Sequence, residues 1–489
     1  MGMPKKFFIS TPIYYVNAKP HIGHIYATTA ADVMARWHRK QGDKVLFSTG
    51  TDENSQKNVE AAEKQGKDVK KYVDEMASVW ENIFKELKFS NDVFVRTTSP
   101  EHAKAVTALL SAIEAKGDIY MGEYKGLYCV GCEEFIAEKD LVDGKCAIHQ
   151  TAPKEIKENN YFFRLSNYRD QLLKYFEDNL EFVKPDSARN KVLDYIKNDL
   201  ADISISRQAQ EWGIRLQSDP THAVYVWFDA LINYLTVTGY PDEENSREFW
   251  PADIHLVGKD IIKFHCAIWP AMLLSAGLPL PHQVFAHGFF TVDGQKISKS
   301  LGNAIDPLEL IKEYPFDAIR YYLLRDIPFG SDGDFSHERL HGRYQADLAN
   351  GLGNLVSRTL NMIAQFHPEF APEDMKDTSN LPTEVTQPIA LVEQHIPHLE
   401  FDKALANIQL VIAYCDELIE RTKPWQQVKE GNTQEAQKTL EILFGALVQL
   451  NEAIEPFMPE THDTLSDILE KRPIQKPEKP LFARIEKVD

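Results

Sequence analysis

The chain has 489 residues, 43% of them hydrophobic and 26% charged, a balance that excludes a disordered or fibrous chain and allows about three domains of roughly 150 residues. Its formal net charge of −19 excludes a uniformly basic nucleic-acid coat, so a nucleic-acid partner would need local basic patches. The longest apolar stretch, CAIWPAMLLSAGLPLP, is short and broken by prolines, which excludes a membrane-spanning segment.

At the N-terminus, Lys5 and Lys6 precede the run FFISTPIYYVN. Pro12 and Asn17 interrupt it and no small-residue cleavage site follows, so no secretion signal is expected. Lys6 stands where a myristoylation pattern needs Ser or Thr. Without a secretion signal, five cysteines point to free thiols, a metal site or catalysis, not to disulfides.

KFFIST reads as a buried strand, ATTAADVMARWHRKQG as a helix ending at Gly42, and KVLFSTGTD as a second buried strand. Strand, helix and strand in so short a span predict a βαβ unit on a parallel sheet. Between the first strand and the helix lies PHIGH. A helix that begins near His21 puts His21 and His24 on one face, with Gly23 leaving the backbone open to a ligand. Helix N-termini attract anions, and imidazoles there can donate to phosphate oxygens as charge builds on them. Alone, the quartet fits two surface histidines at a helix cap as well. The dinucleotide fingerprint GxGxxG is absent, so any nucleotide site works differently.

From about 116 to 225 the texture changes to short segments and turns, which reads as an insertion. It contains Cys129, Cys132, Cys146 and His149, whose two x-x pairs have knuckle-type zinc spacing. Three thiolates and one imidazole close a tetrahedron, which implies a structural Zn2+. Strand-and-helix texture returns with HAVYVWFDALINYL and DIHLVGKDIIKFHCAIWPAMLLSAG. HGFFTVDGQKISKS reads as a strand, an Asp293-Gly294 turn and a basic loop with Lys296, Ser298 and Lys299. Lysines on such a loop can close over a polyphosphate; alone, the loop reads first as a solvated basic turn. In IDPLEL, Asp306, Pro307 and Glu309 form a strong helix start. From about 345 the chain reads as a helical bundle, with Leu405, Ile408, Ile412, Cys415 and Ile419 on one stripe and Leu440, Leu443, Phe444, Leu447, Leu450 and Ile454 on another. Cys415 is thus expected in a core.

His21-Ile22-Gly23-His24 followed by Lys296-Ile297-Ser298-Lys299-Ser300 resembles the HIGH and KMSKS signatures of the class I aminoacyl-tRNA synthetases. STPIYYVNAKPHIGH, STGTDE, GLYCVGCE, YVWFDALINY, HLVGKDIIKFH, HGFF, GNLVSR and KPW occur in the order seen in the methionyl-tRNA synthetase family, over nearly the whole chain. The resemblance implies a Rossmann-like α/β catalytic domain in residues 1–115 and 226–290, split by a zinc-knuckle connective insertion at 116–225. It further implies a KISKS and stem-contact region at 291–345, an α-helical anticodon-binding domain at 346–470 and a tail at 471–489.

The implied reaction activates L-methionine with ATP and Mg2+, then loads initiator and elongator tRNA(Met). ATP would be held by His21, Gly23, His24, Gly258, Lys259, Asp260, His265, Lys296, Ser298 and Lys299. Of these, His21, His24, Lys296 and Lys299 would be catalytic. Ile13, Tyr15, Asp52, Trp227, Ala230, Tyr234 and His287 would bind methionine, with Asp52 on its ammonium. A thioether favours aromatic contacts, although tyrosines and tryptophans at such spacing also make plain core. Asn354, Arg358 and Trp425 would read the anticodon, whose unstacked bases suit a ring and a guanidinium plane. Without the resemblance, Trp425 is equally a packing residue after Pro424.

The chain departs from the pattern in one place. After TGTDE the family usually has His-Gly, and here stand Asn54-Ser55. The expected state is a cytoplasmic monomer without the C-terminal dimerisation module of some relatives. A cysteinyl-tRNA synthetase would need a Cys on the strand before HIGH, and residues 7–19 contain none. The leucine, isoleucine and valine enzymes carry a larger editing insertion than 116–225 has room for. A zinc-bearing RNA-binding relative without catalysis would not need the intact His21, His24, Lys296 and Lys299.

Overall fold

The computed structural model describes residues 4–486 apart from 130–133, 137, 139–140, 148–149, 209, 243, 245–247, 293, 297–303 and 371–380. The chain forms two compact units, Met1–Pro20 with Gln41–His287 and His21–Lys40 with Gly288–Asp489.

The first unit is built on a six-stranded sheet. Its strands are β1 (Lys6–Tyr15), β2 (Lys44–Asp52), β3 (Val93–Arg96), β4 (Val183–Lys184), β5 (Ile254–Gly258) and β6 (Gln283–His287). They lie in the order β3-β2-β1-β5-β6-β4, with every neighbouring pair parallel. Phe7, Phe8, Ile9 and Phe47 are buried, the near-continuous apolar run of strands covered on both faces. The expected strands KFFIST and KVLFSTGTD are β1 and β2, and their parallel register runs from Lys6 beside Lys44 to Tyr15 beside Asp52. A side chain at Gly50 would put its Cβ 2.0 Å from Val95 O, so glycine is what lets β3 approach β2. The sheet grows outward from β1 through β2 to β3 on one side and from β5 to β6 on the other. The carboxyl ends of β1 and β5 therefore flank the switch point where doubly wound sheets bind ligands.

Within 116–225, the strands Ile119–Cys129, Glu134–Ile136, Lys154–Phe163 and Ile203–Ser204 form a separate antiparallel sheet. The segment is nevertheless not wholly an insertion, because β4 lies inside it and pairs with β6. A two-residue strand carries no periodicity, so its place in the main sheet leaves no sequence signal.

The second unit opens with α1 (Ile22–Lys40), beyond which Gly42 takes the left-handed conformation at φ 84°. Phe290–Val292 pairs antiparallel with Gln295–Lys296 and parallel with Gly333–Phe335. Gly294 has φ 74°, as the expected turn requires; Asp293 lies outside the described residues. Asp306 Oδ1 caps the helix Pro307–Glu313 by accepting from Leu308 N at 2.9 Å. Both expected stripes are buried, in the helices Phe401–Thr422 and Thr433–Ile454, and burial pushes the Cys415 thiol up to about 12. Arg320 is buried among these helices, bonded to Asp32 Oδ2 of α1 at 2.7 Å and to the carbonyls of Phe457 and Pro456. No described helix is long and apolar enough to cross a membrane.

Candidate active site

In the first unit, a cavity opens at the carboxyl ends of β1 and β2. Pro12, Ile13 and Tyr15 of β1, Asp52 of β2, and Trp227, Ala230, Leu231, Asn233 and Tyr234 of the next segment line it, with Ile261 and His265. Asp52 is only 3% exposed, and its main-chain oxygen accepts from Asn58 Nδ2 at 2.9 Å. Tyr15 lies beside Asp52 in register, with Lys57 Nζ 4.2 Å from its ring centre.

The opposite wall rests on the helix Val226–Leu231. Trp227 stacks on Phe264 at 3.9 Å and 10° between planes, and its Nε1 is buried without a hydrogen-bond partner among the described residues. His265 sits in the π-helical turn Phe264–Ile268. Its Nδ1 lies 3.0 Å from Ile261 O, an acceptor only, so Nδ1 carries the proton and Nε2 accepts from Tyr234 OH at 2.8 Å. Burial lowers the His265 pKa to about 4, which keeps the ring neutral, and raises that of Tyr234. The wall is thus apolar and aromatic, with Asp52 as a carboxylate at one end.

Six of the seven residues expected to bind methionine line this cavity. The seventh, His287, does not: β6 ends there in register with Gly258, and a Cβ built on Gly258 would lie 3.9 Å from His287 Cε1 and 2.6 Å from Asp260 Oδ1. Gly258, Asp260 and His287 therefore gather at the ends of β5 and β6, and Lys259 N donates to His287 O at 3.1 Å. His265, expected beside the nucleotide, lines the cavity instead because the π-helical turn and Tyr234 aim it inward.

The second unit holds the paired histidines. Main-chain N–H groups only donate, so both Nδ1 atoms accept: His24 Nδ1 from His21 N at 3.0 Å, and His21 Nδ1 from Gly23 N at 3.1 Å. In the neutral rings, which lie 3.8 Å apart, the proton is therefore on Nε2. Ile22 N donates to Ile305 O at 3.2 Å, which ties the start of α1 to the chain just beyond the basic loop. Lys296 ends the strand Gln295–Lys296, while Ser298 and Lys299 lie outside the described residues. At the base of that hairpin, Asp334 Oδ1 accepts from Thr291 Oγ1 at 2.6 Å and from Gly294 N at 2.7 Å.

Of the expected metal ligands, Cys129 and Cys146 are buried thiols, and Cys132 and His149 lie outside the described residues. Among the described residues no three potential ligands gather at one point. Asn354 starts the helix Asn354–Phe366, Arg358 Nη2 donates to Glu420 Oε1 at 2.7 Å, and half-buried Trp425 lies in the helix Pro424–Lys429.

A family model described as tRNA synthetases class I (M) matches residues 7–147 and 136–360, and one described as the anticodon binding domain of methionyl tRNA ligase matches 370–487. The methionine–tRNA ligases of Caldanaerobacter subterraneus and Thermotoga maritima are each 45% identical over 94% of this chain, covering 73% and 74% of their own lengths. A Mycobacterium tuberculosis methionyl-tRNA synthetase in complex with methionyl-adenylate superposes with a TM-score of 0.91 at 36% identity, covering 98% of this chain and 100% of that one. The apo form of that enzyme gives 0.84 at 34% identity, over 99% of each chain. The chain belongs to the methionine–tRNA ligase family of class I aminoacyl-tRNA synthetases.

Proposed function

We propose that the chain carries out its family's ligation with the residues described above, binding L-methionine in the cavity of the first unit. The observation that carries this reading is the pairing of a buried carboxylate, Asp52, with an aromatic wall of Trp227, Tyr15 and Tyr234 at the sheet's switch point. Asp52 takes the ammonium, and the rings take the polarizable thioether. The methionine carboxylate attacks the α-phosphorus of ATP, the bond to the β-phosphate breaks, and pyrophosphate leaves. A hydroxyl of the terminal ribose of tRNA(Met), initiator or elongator, then takes the acyl group and releases AMP. No covalent protein intermediate is needed, only positioning and charge stabilisation.

His21 and His24 present Nε2–H to the phosphates, Lys296, Ser298 and Lys299 close on the pyrophosphate, and Gly258, Lys259 and Asp260 receive the nucleoside. Mg2+ enters as the partner of the ATP phosphates. A structural Zn2+ on Cys129, Cys132, Cys146 and His149 suits the two buried thiolates and orders the 116–225 segment. Asn354, Arg358 and Trp425 meet the anticodon in the helical domain at 346–470, and the protein works as a cytoplasmic monomer.

Methionine-dependent exchange of pyrophosphate into ATP, run over a panel of amino acids, tests the reading. Methionine should be preferred over homocysteine by about 1–3 kcal/mol, the discrimination that one methyl gives an apolar pocket. Equal activation of the two would overturn the assignment of the cavity. Stoichiometric zinc in purified protein, with Cys129 and Cys146 protected from thiol reagents, is the parallel expectation for the metal.

A further inference from the structure

Behind the cavity lies a buried polar chain that none of the roles above uses. Asn54 is 4% exposed and stands two residues beyond Asp52. Its Nδ2 donates both hydrogens, one to Thr97 O at 3.1 Å and one to Asp229 Oδ2 at 2.6 Å. Its main-chain oxygen accepts from Gln210 Nε2 at 3.2 Å. Asp229 is fully buried, and its other oxygen lies 2.8 Å from Nε2 of fully buried His102, whose Nδ1 lies 2.9 Å from Thr236 Oγ1.

Asp229 sits between Trp227 and Ala230 on the helix Val226–Leu231. Those two side chains, three residues apart, face the cavity, while the carboxylate between them turns away toward Asn54 and His102. A buried carboxylate is tolerated only when its oxygens are bonded, and here one donor of each pair comes from a different element. The bond from Asn54 to Asp229 therefore joins the strand end that carries Asp52 to the helix that carries Trp227.

We propose that Asn54 is a positioning residue for amino-acid specificity: its carboxamide sets the distance between the Asp52 end and the Trp227 wall. This rests on the cavity being the methionine site. The position demands a donor. An aspartate of the same shape would face Asp229 with like charge, and a leucine would leave Asp229 Oδ2 without its partner.

The test is steady-state pyrophosphate exchange on the full chain, with Asn54→Asp, Asn54→Leu and Asn54→His beside the unaltered protein. Asn54→Asp and Asn54→Leu should raise the KM for methionine by about tenfold or more, leave the KM for ATP within about twofold and narrow the preference over homocysteine. Asn54→His retains a ring N–H for Asp229 and should recover most of the methionine affinity. A merely structural residue would instead lower the unfolding midpoint and the amount of active enzyme while both KM values stayed fixed. Should the charged and apolar variants fail to fold, Asn54→Ser, whose hydroxyl is too short to donate to Asp229, carries the same expectation. A folded variant lacking the donor with an unchanged methionine KM overturns the proposal. Absence of methionine-dependent exchange in the unaltered protein would overturn the underlying reading of the cavity instead.

Discussion

The cavity of the first unit and the paired histidines are held by different means. In the cavity, side chains hold side chains: Tyr234 holds His265, Phe264 backs Trp227, and Asn54 and His102 hold Asp229. At the start of α1 the main chain does the holding, because both imidazoles accept backbone N–H groups through Nδ1. A cavity variant should therefore disturb geometry and binding together. A histidine variant can lose the chemistry and keep the helix start.

The largest expected effect sharpens that contrast. Asparagine supplies a cap acceptor but no ring N–H toward phosphate, so His21→Asn and His24→Asn separate the two roles. Each should slow methionine-dependent exchange by about 2.7–4 kcal/mol in the transition state, roughly a hundred- to a thousandfold. Thermal unfolding should move little. A loss of stability as large as the loss of rate would mean that the rings serve the fold and not the reaction.

The next effect is on stability and belongs to the cavity. His265 is fully buried with its pKa lowered to about 4, first by desolvation, and burial lowers that of His255 further in the same direction. An unfolded histidine titrates near 6.5, so between about 6.5 and 4 the unfolded state binds more protons than the folded one. Stability should thus fall as pH falls through that window, with His265 contributing at most about 3 kcal/mol. Urea unfolding at pH 7 and pH 4.5 measures it. His265→Gln should show a shallower pH dependence than the unaltered chain, and equal slopes would remove His265 from the cavity's rigid frame.

A smaller effect is expected at Asp52, where Asp52→Asn keeps the shape and removes the charge. A charge-assisted bond to the substrate ammonium contributes about 1.5–3 kcal/mol, so the KM for methionine should rise roughly ten- to a hundredfold. The KM for ATP should stay fixed. If both rise together, Asp52 shapes the sheet end and does not meet the amino acid.

β1, β2, α1, the capped start at Asp306 and the two apolar stripes were legible because each repeats or punctuates locally. The cavity was legible only through family motifs, since Trp227 and Tyr234 obey no period that separates lining from core. Asn54, His102 and Asp229 were not legible as a set. They come from a loop and two helices separated by more than a hundred positions, and only the fold brings them within bonding distance. The inward turn of His265 depends on one extra residue in a helical turn, which no composition or spacing announces. The edge strand β4 escaped for want of length.

The smallest expected effect lies farthest from this chemistry in the chain. Trp425 follows buried Pro424 and is itself partly exposed, and the family resemblance assigns it to the anticodon. Stacking on such a ring contributes about 1–3 kcal/mol per base, so Trp425→Ala should raise the KM for tRNA roughly five- to a hundredfold. Methionine-dependent exchange, which needs no tRNA, should be unchanged. Arg358 differs, because Glu420 already engages its guanidinium at 2.7 Å and an incoming base must share or displace that partner. Glu420→Gln should then strengthen tRNA binding slightly where Trp425→Ala weakens it. If Trp425→Ala slows exchange and tRNA charging equally, the ring packs its helix and reads nothing.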